Sequence, residues 1–285
     1  MEKVKETFEE QLKKLNMEYV DFYLLHGIME SDYHLYSDPN VPLADYFYEE
    51  KKAGRIKHFG FSSHGKIDQL KKVLEWKDYF EFCQIQLNYL DWTLQDAKGQ
   101  YELLAEHNLP IIVMEPVRGG RLAKLDDDCT AMLKAVRPDD SVASWALRFS
   151  GSLPQVKVVL SGMSAMDQLE DNLKTYAGGE LMTEEDKTLL LDKVVPSMVQ
   201  MVPCTGCRYC CEGCPVELNI PALISLYNEM TFSQWSFYLG SLKEKDMPMN
   251  CIGCGACMNV CPQAIEIPEI MQKLSAKIEE ARAGR

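Results

Sequence analysis

Eight cysteines carry the chemistry that is easiest to read in this chain. Cys204, Cys207, Cys210 and Cys214, then Cys251, Cys254, Cys257 and Cys261, form two runs of identical spacing, C-x2-C-x2-C-x3-C-P, ending in Pro215 and Pro262. This is the spacing of a [4Fe-4S] binding run: three thiolates two residues apart wrap three corners of the cube, and the fourth, before a proline, is directed to the other cluster where two are present. Two matched runs predict two clusters. By the crossed rule one takes Cys204, Cys207, Cys210 and Cys261, and the other Cys251, Cys254, Cys257 and Cys214. Zinc is commonly held by two C-x2-C knuckles and would leave the third Cys and the Cys-Pro of each run without a role. Disulfides suit the chain poorly, because the cysteine count is odd at 11 and the opening MEKVKETFEEQLKK has no apolar signal core. Cys83 and Cys129 read as small core residues, and Cys211 as a passenger beside a ligand.

The remaining composition bounds the partners. The formal charge is -13 over 285 residues and the isoelectric point is near 4.9. No basic run offsets this balance, so nucleic acid and anionic membrane are excluded as expected partners. No apolar segment approaches the ~18 residues of a membrane span. Reduced thiols without an export signal, together with oxygen-sensitive clusters, predict a cytoplasmic protein.

Two modules follow from the pattern. Residues 1–195 alternate amphipathic helices with short β-rich runs, the signature of repeated βα units on a parallel sheet. The strands begin at Tyr19, Ile56, Phe82, Ile111 and Val156, and the helices span Leu43–Ala53, Ile67–Trp76, Asp96–Asn108, Ser141–Phe149 and Met166–Tyr176. An opening helix places Val4, Phe8, Leu12 and Leu15 on one packed face. A (β/α)8 barrel needs eight strands and about 250 residues, so the five strands predict a partial TIM-type barrel with unpaired edges, through which self-association is possible. A doubly wound sheet would carry a Gly-rich phosphate loop after its first strand; here that strand ends His26-Gly27. Residues 196–285 form a second, mainly helical module. Pro196 and Pro203 mark its start, a helical stretch runs from Pro221 to about Leu242 between the cysteine runs, and a terminal helix begins near Ile270.

The strings EYVDFYLLHG, KKAGRIKHFGFSSH, FCQIQLNYLD, LPIIVMEPVRGG and VKVVLSGMSAMDQLEDNL resemble strands four to eight of an aldo-keto reductase. The tail resembles the two-cluster ferredoxin-type extension of a bacterial subgroup of these enzymes. The resemblance covers essentially the whole chain. The family's first three strands, which bring its catalytic Asp, Tyr and Lys, have no counterpart here.

The resemblance implies roles for residues at the strand ends, where barrels of this type do their chemistry. His26 would orient a substrate carbonyl, as the catalytic residue of this chain. Ser62, Ser63 and Gln84 would hold the nicotinamide carboxamide, with Ser63 standing where the family has Asn. Arg118 and Gly119, with Gly120, would meet a pyrophosphate; a flexible loop with an ordinary surface arginine is the alternative for the same residues. Ser161, Asp171 and Asn172 keep the adenine-side pattern. Met114 replaces a stacking Tyr, and Gly162, Met163 and Gln168 replace the residues that grip the 2'-phosphate of NADPH, which leaves NAD and NADP equally open. His34, His58, His64 and His107 read as surface or packing residues. The implied protein is an iron-sulfur oxidoreductase that links NAD(P)H, a small carbonyl substrate or redox partner, and electron transfer through two clusters. The alternative is a ferredoxin-like electron carrier whose truncated barrel is catalytically inactive. Anaerobically purified protein is expected to hold about eight iron atoms per chain by iron and labile-sulfide assay; zinc, or half that iron, would sink the two-cluster reading.

Overall fold

The computed structural model describes residues 1–30, 33–179, 182–198, 202, 204, 206–232 and 237–283. Two compact units divide at Val195 and Pro196. The first contains helix α1 (Glu2–Leu15), strand β1 (Val20–Leu25), α2 (Leu43–Lys52), β2 (Ile56–Ser63), α3 (Ile67–Leu74), β3 (Phe82–Gln86), α4 (Ala97–Glu106), β4 (Ile111–Met114), α5 (Asp127–Val136), α6 (Val142–Gly151), β5 (Val156–Val159), α7 (Met166–Ala177) and α8 (Glu184–Leu189).

All five strands are parallel and adjacent in sequence order, β1-β2-β3-β4-β5. A doubly wound sheet reverses its order at a switch point, whereas a sheet that adds each new strand to the same side follows the path of a β/α barrel. The order therefore decides for the partial barrel. Strand β2 is the most enclosed: Phe59, Phe61, Ser62 and Ser63 are buried, and Phe61 meets the ring of Phe80 at 4.8 Å. Gly60 is paired in register with Phe82, and a Cβ there would lie 2.5 Å from the Phe82 carbonyl oxygen. The close approach of β2 to β3 thus requires glycine.

The outer strands are less covered. Phe22 on β1 is 59% exposed and Val158 on β5 is 43% exposed, as expected of edge strands that pair on one side only. Helix α1 docks through Phe8, whose ring meets Tyr23, Tyr46 and Phe47 edge-on at 5.2, 6.5 and 5.6 Å. The four-residue stripe anticipated on this helix is shorter than its periodicity implied. Phe8 and Leu12 are buried but Leu15 is 61% exposed, because the chain turns away immediately after it through left-handed Asn16. Helices α5 and α8 were not anticipated. Their starts are marked by short polar caps, Asp126 accepting from the Cys129 N–H and Thr183 from the Asp186 N–H, rather than by strong apolar periodicity.

The second unit has four helices that matter here: α9 (Tyr209–Glu212), α10 (Ile220–Phe232), α11 (Ala256–Asn259) and α12 (Ile267–Ala283). Leu223, Ile224, Leu226 and Met230 of α10 share a core with Ile270, Met271, Leu274 and Ile278 of α12. The terminal helix begins at Ile267, earlier than the expected Ile270. Pro196 lies inside a short helix, Val195–Met198, so it does not break the chain there; Pro203 and residues 233–236 of the expected helical stretch lie outside the described residues. Among the described residues no helix is long and apolar enough to cross a membrane. Gly60→Ala is expected to destabilise the first unit by about 1–3 kcal/mol through overpacking against the β3 backbone, read as a lower urea midpoint at unchanged slope.

Candidate functional site

The cysteine runs lie in the second unit, and they form a structural repeat. Each residue of the first run corresponds to the one 47 positions later, from Cys204 and Cys251 to Cys214 and Cys261. The backbone follows the same offset. Gly206 and Gly253 have φ of 69° and 68°, Arg208 and Gly255 have 68° and 74°, and Glu217 and Ala264 have 52° and 49°. The turn bonds repeat as well: Cys214 N–H donates to the Cys211 carbonyl and Cys261 N–H to that of Met258, both at 3.2 Å. Left-handed residues curl each short loop around a concave centre, which is what lets three thiols two residues apart face one space.

Two cavities result. One is lined by Cys204, Cys207, Cys210 and Cys261. The other is lined by Cys214, Cys251, Cys254 and Cys257. Each thus joins three thiols of one run with the fourth of the other. Ile267, nearly fully buried, lines both cavities. Burial first, then the thiols of Cys211 and Cys204, push Cys210 up to about 12. Burial also raises Cys257, and Cys251, Cys254 and Cys214 add to the rise. Thiols crowded in this way resist ionisation until cationic iron compensates them, and a coordinated thiol is deprotonated. Among the described residues no three His, Cys, Asp or Glu side chains converge closely enough to hold a single metal ion. Cys211 is half-buried against the unit's core and lines neither cavity. Cys83 and Cys129 are fully buried in the first unit.

The polar strand ends of the first unit gather at one end of the parallel sheet, and most of their side chains are engaged with the protein itself. His26, exposed after β1, accepts on its carbonyl from the Tyr36 hydroxyl. Ser62 Oγ accepts from the Gly27 N–H at 2.8 Å. Ser63 Oγ donates to the Ile28 carbonyl at 2.8 Å and accepts from the Gly65 N–H at 3.0 Å. Both serines therefore pin the loop that carries His26, and Ser63 has no hydroxyl proton left for a carboxamide. Gln84 donates to the Met114 sulfur at 3.5 Å, which brings together the ends of β3 and β4. His64, read from the sequence as a packing residue, follows the end of β2; burial, and then the nearby His26, lower its pKa and keep it neutral near pH 7. Adjacent strand ends make this pair, and neither residue's sequence context signals it.

Arg118 is buried, and its Nε donates to Asp91 Oδ1 and Oδ2 at 3.0 and 3.1 Å. Asp91 is itself fully buried and also accepts from Gln86 at 2.7 Å and Asn88 at 2.6 Å. Asn88 reaches on to the Glu115 carbonyl at 3.0 Å. The sequence reading missed Asp91 because a lone acid after N-Y-L resembles a turn residue. This network locks a loop in which Glu115, Arg118, Gly119 and Gly120 all have positive φ, from 49° to 86°. Nothing lies within 4 Å of a Cβ built on Gly120, so the loop keeps an open backbone face. On β5's side, Asn172 donates to Ser161 Oγ at 3.0 Å. Asp171 accepts from Ser141 at 2.5 Å, tying it to the N-cap of α6. Gln168 accepts from the Ser164 and Ala165 N–H groups, so it caps its own helix.

The parallel order and the polar strand ends define a β/α-barrel type of protein, and the comparisons agree. The aldo-keto reductase AKR11C1 from Bacillus halodurans is similar with a TM-score of 0.55 at 23% identity, over 67% of each chain. Glycerol dehydrogenase AKR11B4 from Gluconobacter oxydans is similar with a TM-score of 0.53 at 18% identity, over 69% of this chain and 64% of that one. An uncharacterised oxidoreductase of Bacillus subtilis strain 168, YqkF, is 26% identical over 210 residues, which is 65% of this chain and 64% of that protein. The chain therefore spans somewhat less than two thirds of that relative's length. Residues 1–189 match the aldo/keto reductase family, and residues 203–265 match the 4Fe-4S dicluster domain. The chain belongs to the aldo/keto reductase family, with an iron-sulfur domain at its C-terminal side.

Breaking the Asp91–Arg118 pair from one side leaves an uncompensated buried charge. Asp91→Asn is expected to cost about 3–5 kcal/mol of first-unit stability, with the double variant Asp91→Leu/Arg118→Met recovering most of it, both by urea denaturation.

Proposed function

We propose that this chain is part of an iron-sulfur oxidoreductase of the aldo-keto reductase type, with two [4Fe-4S] clusters and a nicotinamide nucleotide at the C-terminal ends of the strands. The observation that carries the first part is the pair of equivalent cavities, each lined by three thiols of one run and the fourth of the other. Cys204, Cys207, Cys210 and Cys261 would hold one cluster, and Cys251, Cys254, Cys257 and Cys214 the other. When bound, each cluster supplies one-electron carriage. Their oxygen sensitivity and the free thiols support a cytoplasmic setting.

For the nucleotide, the support is the left-handed Glu115–Gly120 loop with its open backbone face, where N–H groups suit a pyrophosphate. Arg118 acts there as a positioning residue through Asp91. Ser62, which accepts from Gly27 and keeps its own proton, and Gln84 are the carboxamide partners this chain still offers. Ser161 and Asn172, joined to each other, flank the adenine side. Gly162, exposed Met163 and helix-capping Gln168 supply no cation for a 2'-phosphate, which favours NADH. The imidazole of His26, exposed beside β1, would orient a carbonyl oxygen. Reduction of that carbonyl also needs an acid within hydrogen-bond reach, and the set assigned to this sheet end contains none beyond the two histidines.

One observation favours the alternative of an electron carrier without nucleotide chemistry: Ser63, Arg118 and Asp171 are all engaged in the fold. In that reading the barrel unit is a dock for a redox partner, and the exposed apolar residues of the edge strands, Phe22 and Val158, offer the contact surface. Anaerobic titration with NADH and NADPH, followed by nucleotide fluorescence, separates the readings. NADH is expected to bind at least as tightly as NADPH. A strong NADPH preference overturns the assignment of Gly162 and Gln168, and no binding of either by protein with full iron content overturns the nucleotide site and leaves the electron carrier as the reading.

A further inference from the structure

The two thiol-lined cavities match position by position, yet they differ in charge. Pro221 and Ile224 beside one correspond, 47 residues on, to Pro268 and Met271 beside the other, and Cys261 with Pro262 to Cys214 with Pro215. Polarity breaks the equivalence. Arg208 lines the cavity of Cys204, Cys207, Cys210 and Cys261, where the other cavity has Gly255, and Gln263 lines it where the other has Val216. Arg208 is the one charged residue on either wall among the described residues.

Its backbone makes this placement unusual. At φ 68° Arg208 holds the left-handed conformation that Gly255 holds at 74°. Glycine does so without steric penalty, whereas an arginine there crowds its Cβ against the backbone. A strained residue that persists where its structural twin is glycine points to a role for the side chain. The guanidinium is steadied by Nη1 donating to Asn219 Oδ1 at 3.3 Å. Among the flanking residues, Glu217, the twin of Ala264, lies between Val216 and Leu218 of the second cavity's wall, while Glu266, the twin of Asn219, lies between Ile265 of the first wall and Ile267 of both. Glu212, against Asn259, is the one difference of opposite sign within the two motif loops, and it lines neither wall.

Resting on the two-cluster reading above, we propose that Arg208 makes the two clusters unequal, so that the cluster of Cys204, Cys207, Cys210 and Cys261 has the higher reduction potential and takes the first electron. One electron added to a cluster increases its negative charge by one, with no bond broken and no proton required. A fixed cation beside the accepting cluster favours that change, and the Glu217 carboxylate beside the other opposes it. The exposed setting of Arg208 screens this effect without abolishing it.

Potentiometric titration of the full chain with dithionite, followed by electron paramagnetic resonance, tests this. The wild type is expected to show two midpoints at about eight iron per chain. Arg208→Gln, which keeps side-chain bulk, should lower the higher midpoint by about a tenfold change in its reduction equilibrium, 59 mV for one electron, and leave the lower one in place. Gly255→Arg should raise the lower midpoint instead. Arg208→Gln protein that keeps its iron and both midpoints overturns the proposal. Wild-type protein with about four iron atoms overturns the two-cluster reading on which it rests.

Discussion

A short loop bends tightly enough to bring three thiols to one centre, but the fourth has to come from elsewhere in the chain. In this protein it comes from the other loop, in both directions, so neither cavity is complete without both motifs. That mutual dependence governs the second unit. It requires two equivalent left-handed loops, a helix leaving each one, and a shared core between α10 and α12 that fixes the loops against each other. Ile267 belongs at once to the core and to both cavity walls. Packing in this small unit and the geometry offered to iron are therefore one problem, as expected of domains too small to rely on a large apolar core.

The first unit obeys a different constraint. A parallel sheet assembled in sequence order carries every strand's C-terminal end to one side, which collects His26, Ser62, Gln84, Gly119 and Ser161 from distant parts of the chain. Collected polar groups also find one another. Ser63 holds the loop after β1, Arg118 is buried against Asp91, and Asp171 anchors a helix cap. Burying Arg118 without its carboxylate would leave an isolated charge out of water, so the pair is formed as a unit with Gln86 and Asn88 completing the acceptor's bonds. The effect on the site is indirect but large, because this network sets the left-handed loop that follows β4.

Much of this was legible in the residues. Cysteine spacing, read with the crossed rule of two-cluster runs, grouped the thiols in the way that they line the two cavities. Strand starts were legible because buried parallel strands are continuous β-branched and aromatic runs. Less legible were α5 and α8, which depend on single polar caps, and the exposure of Leu15, which periodicity assigned to a packed face. Arg118 was read as a charge for a pyrophosphate, with an ordinary surface arginine as the alternative; its partner Asp91 is distant in sequence, and nothing in either segment marks the other.

Taken alone, the amino-acid order determined which groups could do chemistry: two four-thiol sets, a histidine at a strand end and a glycine-rich turn. These are properties of residue type and local spacing, set by covalent reach and backbone preference. Only the tertiary structure decided which of the groups stay available. Hydrogen bonds and ion pairs between distant segments commit Ser63, Arg118 and Asp171 to the fold, and adjacent strand ends bring His64 near His26. The folded backbone repeats its left-handed turns at the 47-residue offset and puts Arg208 on one cavity wall where Gly255 stands on the other, so two cysteine runs with the same spacing surround cavities of different charge.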